Sequence, residues 1–293
     1  MKFKISHITQ YGYSEASPVC HNAVRLTPRN DGRQRLLEHH LSVSPMPWDL
    51  GQRIDYFGNQ LRFFAIQKPH AGMKLAAIST VDVAAAPKTH AADSPSWETI
   101  RDELPRDISS QGRANSQFLF ASPRVRLSDE LAAYARPSFP ANRPLIEAVL
   151  DLTARIHGEF QYDPKATTVD TPLEEVLEHR RGVCQDFAHL QIGCLRSIGL
   201  AARYVSGYLR TLPPPGKPRL VGADATHAWL SVYCGIAGWI DFDPTNNVIA
   251  DTDHITLTWG RDYSDITPVC GVFTGGGSHT LSVSVDVEPL GEG

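Results

Sequence analysis

A chain of 293 residues with 42% apolar side chains has material for two hydrophobic cores, and 32 acidic against 28 basic side chains leave a net charge of −4. So balanced a charge gives no electrostatic footprint for nucleic acid. There is no run of about 18 apolar residues, and residues 1–8 alternate like a strand rather than carrying the apolar core of a leader; neither a membrane partner nor secretion is expected.

The first elements in chain order are strands. Phe3/Ile5/His7, Leu37/His39/Leu41/Val43, Leu61/Phe63/Ala65 and Leu75/Ala77/Ser79/Val81/Val83 each keep one parity, which is the alternation of half-buried strands. Residues 1–86 therefore read as a β-sandwich domain, and their histidines at 7, 39, 40 and 70 show no ligand spacing. Residues 87–127 turn polar and irregular, with Trp97, Phe118, Leu119 and Phe120 as isolated anchors, and read as a linker that packs on its neighbours. A second domain is expected over 128–293. Ser128 and Asp129 cap a short helix running to Arg136, and Asn142 with Pro144 opens a longer one over about 143–160, striped by Leu145, Val149, Leu152 and Ile156.

The chemistry begins after these helices. Thr171 to Glu174 has a capping-box pattern with Pro172 at the first helical position, predicting a helix over 172–180. Next comes the glycine turn at Gly182, then a helix whose stripe is Val183, Phe187, Leu190, Cys194, Leu195 and Ile198, ended by Gly199. Cys184 stands at the start of that helix, where unpaired amides and a partial positive charge favour the thiolate. A lone cysteine reads first as a small buried hydrophobe; a histidine and an aspartate downstream reverse that reading. Residues 226–233 alternate, with His227, Trp229, Ser231 and Tyr233 on one face, and residues 239–243 return as a second strand that Pro244 ends. With Tyr233 opposite Trp239, Asp243 is the diagonal neighbour of His227, and a register two residues shorter places them directly opposite.

A thiol, an imidazole and a carboxylate so arranged imply a nucleophile, a general base and an orienting acid. The Cys184 amide is a ready oxyanion donor; Tyr162 is the candidate for the second, against the alternative of an ordinary packing tyrosine. A zinc site from the same three residues lacks the usual close Cys or His pair, and no metal or cofactor is expected.

At these residues the chain resembles the bacterial transglutaminase-like proteins of the papain-like cysteine-enzyme superfamily. The segments that carry the resemblance are RRGVCQDFAHL around Cys184, GLAARYVSGYL from Gly199, THAWLSVY around His227, GWIDFDPTNN around Asp243 and GRDYSDITPVCGVFTGGG from Gly260. Near the start, Tyr11-Gly12-Tyr13, Arg25-Leu26-Thr27-Pro28-Arg29 and Asp55-Tyr56-Phe57-Gly58-Asn59 resemble the amino-terminal domain of many bacterial members. The resemblance implies an α+β protein, an amino-terminal β-sandwich followed by a papain-like core of helices on an antiparallel sheet. It matches Cys184 to the nucleophile, His227 to the base and Asp243 to the orienting acid; the Pro-Thr after Asp243 sets aside Asp241, one step nearer the turn on the same face. Peptide or protein substrates are implied, with hydrolysis by a protease, amidase or deamidase favoured over transamidation, and an idle binding module as the alternative from another class.

The remaining segments carry less. The prolines of residues 211–218 make a stiff connection or a rim of the cleft. Asp262 and Tyr263 of GRDYSD belong to the site rim or to structural hydrogen bonding. Gly275, Gly276 and Gly277 form a loop without the following helix of a phosphate cradle, and residues 279–287 alternate as a late strand expected beside the core sheet. Cysteines at 20, 184, 194, 234 and 270 give neither a disulfide framework nor a CxxC pair, which fits a reducing, cytoplasmic location. Oligomeric state is not legible.

Overall fold

Alternation near the start of the chain does produce strands: β1 (Lys2–Ser17), β2 (Val19–Val24), β3 (Gln34–Ser44), β4 (Asp49–Ile54), β5 (Gln60–Ile66) and β6 (His70–Val83). The structure is a computed structural model and describes residues 1–87, 90–211 and 225–291; the proline-rich stretch lies, from residue 212 on, outside them.

The expected irregular linker is largely helical. α1 (Trp97–Glu103) and α2 (Ser110–Ser116) each start on a serine, Ser96 and Ser109, whose hydroxyl accepts an amide of the first turn, from Thr99 and Gly112. Helices of two turns are too short for apolar periodicity to register, so only their caps are readable. α3 (Asp129–Ala135) follows, capped by Ser128 as expected, and then α4 (Leu145–Glu159), whose stripe Leu145, Val149, Leu152 and Ile156 is completely buried. β7 (Gln161–Tyr162) pairs in parallel with β8 (Arg181–Gly182), and α5 (Leu173–His179) lies between them. The capping box expected there does not form. Pro172 takes the N-cap position, and the Thr171 hydroxyl accepts the Thr168 amide instead.

α6 (Cys184–Ser197) buries Phe187, Leu190, Cys194 and Leu195 against a five-stranded antiparallel sheet of β9 (Ala202–Leu209), β10 (Ala225–Tyr233), β11 (Trp239–Asp243), β12 (Val248–Ile249) and β13 (His254–Gly260). The sheet order is β12-β11-β10-β9-β13. Ala228, Leu230, Val232 and Phe242 face α6 and α4 in one core. Gly199 ends α6 at a φ of 85°, as its place in the sequence predicts. Among the described residues, no helix is long and apolar enough to cross a membrane.

β14 (Val269–Thr274) and β15 (His279–Leu290) overturn one expectation. The alternating late strand packs against the core strands β9 and β10 but is not hydrogen-bonded into their sheet; β15 pairs along β1, from Lys2 opposite Leu290 to Tyr13 opposite His279, and β14 pairs with β2. The sandwich is thus two four-stranded sheets, β15-β1-β6-β3 and β14-β2-β5-β4. Parity identifies the inward side chains, since Val285 and Val287 are buried with Phe3 and Ile5. It says nothing about which edge a strand will join.

The sandwich and the core sheet share packing. Tyr208, Ile255 and Leu257 extend the sandwich core, and the Tyr208 hydroxyl lies 2.9 Å from His7 Nδ1. Gln34 clasps β13 by its amide: Nε2 donates to Thr256 O and Oε1 accepts from Thr256 N, both at 2.8 Å.

Candidate active site

The start of α6 is built around a buried carboxylate. Asp186 Oδ2 accepts the Val183 amide at 2.8 Å and the Thr167 hydroxyl at 2.6 Å, fixing the first turn. Burial pushes this carboxyl upward, against those two hydrogen bonds. A Cβ on Gly182 would lie 2.7 Å from the same oxygen, so the turn before Cys184 requires glycine. Cys184 itself is half-buried, whereas Cys20, Cys194 and Cys234 are buried and Cys270 is exposed. Burial raises the thiols of Cys20 and Cys194, and that of Cys234 to about 12, which keeps all three protonated at neutral pH.

The β10–β11 hairpin takes the first of the two registers its sequence allows, Tyr233 opposite Trp239 and Leu230 opposite Phe242. It brings His227 Nε2 to 2.7 Å from Asp243 Oδ2. Asp243 is wholly buried yet fully satisfied. Oδ1 accepts the amides of Thr245 and Asn246 at 2.9 and 3.2 Å, and Oδ2 accepts from His227, from Asn246 Nδ2 at 2.7 Å and from His254 Nε2 at 3.0 Å. Burial opposes its charge, but the hydrogen bonds from His227, His254 and Asn246 and the charge of His227 hold this carboxyl far below the usual range. Burial also disfavours charge on His227; hydrogen bonds to Asp243 and Cys184, with the charges of both, override it and raise the imidazole to about 10. An ionised carboxylate only accepts, so Nε2 of His227 carries hydrogen and Nδ1 is the nitrogen left for the thiol.

Other sequence candidates fall at varying distances from this pair. Tyr162 is exposed, pairs by its backbone with Gly182, sets its ring edge-on to Phe187 with centroids 6.5 Å apart and is close enough to feel charge on Cys184. Tyr263 instead stands 6.3 Å from Tyr204, with its amide donating to His189 Nε2 at 3.1 Å. Asp262 follows the structural alternative, accepting the amides of Arg124 and Ser264 at 2.8 and 2.9 Å. Asp241 accepts Trp229 Nε1 at 3.2 Å rather than the imidazole.

Two members of the cluster escape sequence reasoning. Asn246 lies inside GWIDFDPTNN, where nothing local marks it as a donor to the carboxylate. His254 belongs to no local motif, and its approach to Asp243 arises only because β13 closes the sheet beside β9. His227, Asp243 and His254 also offer three ligand atoms within 4.8 Å of one another; both imidazoles already donate to the same oxygen, a bonding that a metal ion would have to undo.

A helix-borne thiol against a His–Asp pair on an antiparallel sheet, behind an amino-terminal sandwich, defines a class that comparison with known proteins bears out. Residues 132–244 match the transglutaminase-like superfamily and residues 3–82 the bacterial transglutaminase-like N-terminal region; the chain belongs to this family. It is 40% identical over 298 residues to Rv2569c, an uncharacterized protein of Mycobacterium tuberculosis, covering 99% of this chain and 93% of that one. It is also 31% identical over 156 residues to a protein-glutamine gamma-glutamyltransferase of Pseudomonas aeruginosa, a match covering 52% of this chain and 23% of the relative. A candidate cysteine protease from Cytophaga hutchinsonii shares the fold, with a TM-score of 0.78 at 22% identity over 100% of this chain and 92% of that one.

Proposed function

We propose that the protein is a thiol-dependent acyl-transfer enzyme acting on peptide or side-chain amide bonds, with Cys184 as nucleophile, His227 as base and acid, and Asp243 as orienting acid. The observation that carries this reading is the imidazole itself: Nε2 is 2.7 Å from a buried carboxylate, and Cys184 lies near enough to help hold the ring in its charged form. His227 takes the thiol proton; the thiolate attacks the amide carbon, and the imidazolium returns the proton to the leaving amine as the carbon–nitrogen bond breaks. Water then attacks the thioester and frees the acid, regenerating the thiol. The Cys184 amide at the start of α6 serves as one oxyanion donor in this reading, with Tyr162 as the candidate for a second.

Hydrolysis of peptide or isopeptide amides is the outcome we favour. Transamidation, in which an amine replaces water, is the second reading, and the similarity to the Pseudomonas aeruginosa enzyme favours it. Mass spectrometry after incubation with a library of glutamine- and lysine-containing peptides and a labelled primary amine separates the outcomes. Shortened peptides indicate a protease, a gain of about one dalton at glutamine a deamidase, and incorporated amine a transglutaminase. Cleavage or deamidation that depends on Cys184 is expected; dominant amine incorporation would replace the hydrolytic reading, and no Cys184-dependent product would favour an idle binding module.

The nucleophile can be tested without a substrate. Under limiting iodoacetamide near neutral pH, peptide mapping of the native protein should find Cys184 alkylated well ahead of Cys20, Cys194, Cys234 and Cys270. Comparable labelling of Cys184 and the exposed Cys270 would remove the assignment.

A further inference from the structure

We propose that His254 is a positioning residue of this site, donating Nε2–H to Asp243 so that the carboxylate holds one orientation toward His227; the inference rests on the acyl-transfer reading. Asp243 Oδ2 receives three N–H groups, from His227 at 2.7 Å, Asn246 at 2.7 Å and His254 at 3.0 Å. Because the ionised carboxylate cannot donate, the His254 proton must lie on Nε2. Of these three donors, His227 lies on β10 and Asn246 in the turn that directly follows β11, so only His254 comes from a strand beyond the hairpin and that turn. The other contacts to Asp243 can move with the hairpin, whereas His254 ties the carboxylate to a separate strand.

That strand is itself anchored. His254 is buried, its amide donates to Asp251 O at 3.0 Å, and its ring meets Trp229 edge-on, with centroids 5.2 Å apart. Trp229 in turn lies 6.0 Å from the His227 ring, so one indole braces both imidazoles. Two residues beyond His254, Thr256 is gripped on both its amide and its carbonyl by Gln34 of the sandwich. The amino-terminal domain thereby acquires a part in the chemistry. It seats the strand whose first side chain steadies the orienting acid, and outer partners of this kind govern how well a ligating or catalytic group is aimed.

The test compares wild type with His254→Ala and His254→Gln in the full chain, using iodoacetamide to probe Cys184 at pH 6 and p-nitrophenyl acetate as an activated acyl donor. His254→Ala is expected to slow both reactions about tenfold, with kcat reduced and KM little changed. His254→Gln places an amide donor near the lost Nε2–H and should recover most of the rate. Melting curves and the β-rich circular dichroism of both variants identify loss of fold, and added imidazole should rescue His254→Ala if the donor is what matters. Wild-type rates in a folded His254→Ala, or a folded His254→Gln as slow as His254→Ala and no rescue by imidazole, would overturn the proposal while leaving the triad intact. A wild-type Cys184 no more reactive than Cys270 would overturn the acyl-transfer reading and this inference with it.

Discussion

Cys184→Ala and His227→Ala should each remove Cys184-dependent turnover by about 10⁶-fold, and the double variant should be scarcely slower than either alone. The two side chains share one proton. His227 serves only by making the thiolate and protonating the leaving group, so once the sulfur is gone it has nothing to act on, and without the imidazole the thiol is left at ordinary reactivity. Steady-state turnover of whichever library peptide the wild type converts is the measurement. Additive losses, with the double variant falling by the product of the two, would mean that the two side chains act independently and would break the triad assignment.

Asp243→Asn should lower turnover by about 10⁴-fold, the scale seen where a triad carboxylate is replaced by its amide. An asparagine can turn its NH₂ toward His227 Nε2, forcing the proton onto Nδ1 and pointing a donor, rather than a lone pair, at the thiol. The pH profile gives the second readout. His227 is raised to about 10 by hydrogen bonds to Asp243 and Cys184 against the effect of burial, so the charged imidazole persists through neutrality and is lost only as pH rises through that value. Removing the Asp243 charge withdraws part of what raises it, and the alkaline limb of activity should therefore move toward neutral pH. Asp241→Asn should cost little, since its contact with Trp229 Nε1 needs only a carbonyl acceptor. A reversed ranking of the two aspartates would contradict the role drawn from the hairpin.

Much of this arrangement is legible in the sequence because it depends on local chain order. Cys184 follows a glycine turn into a helix, and the parity of His227 and Asp243 on two strands joined by a short turn fixes their shared face whatever the rest of the fold does. What escapes is decided at long range. β15 carries a clean alternation, but its partner is a strand at the opposite end of the chain. His254 is one histidine among twelve, and nothing in its neighbours distinguishes it until β13 is laid beside β9. The helices around Trp97 and Ser110 escape for a different reason. Each is seven residues long, so its stability comes from capping and from packing on the core rather than from a periodic stripe.

The pairing of β15 with β1 and of β14 with β2 has a consequence for how the polypeptide comes to be folded. The whole transglutaminase-like segment is spliced between the sixth and the fourteenth strand of the chain, and both sheets of the sandwich lack a strand until the residues after 268 are available. During synthesis from the ribosome, β1 emerges long before its partner β15. One flank of β1 finds β6 early, but the other, lined by a register reaching from Tyr13 back to Lys2, is an open edge until β15 has been made. Closing that edge pairs residues as far apart in sequence as Lys2 and Leu290, a slow step on topological grounds. The transglutaminase-like core therefore gains its final support last, and Gln34 can grip Thr256 from a finished sandwich only when synthesis has passed Cys184, His227 and Asp243.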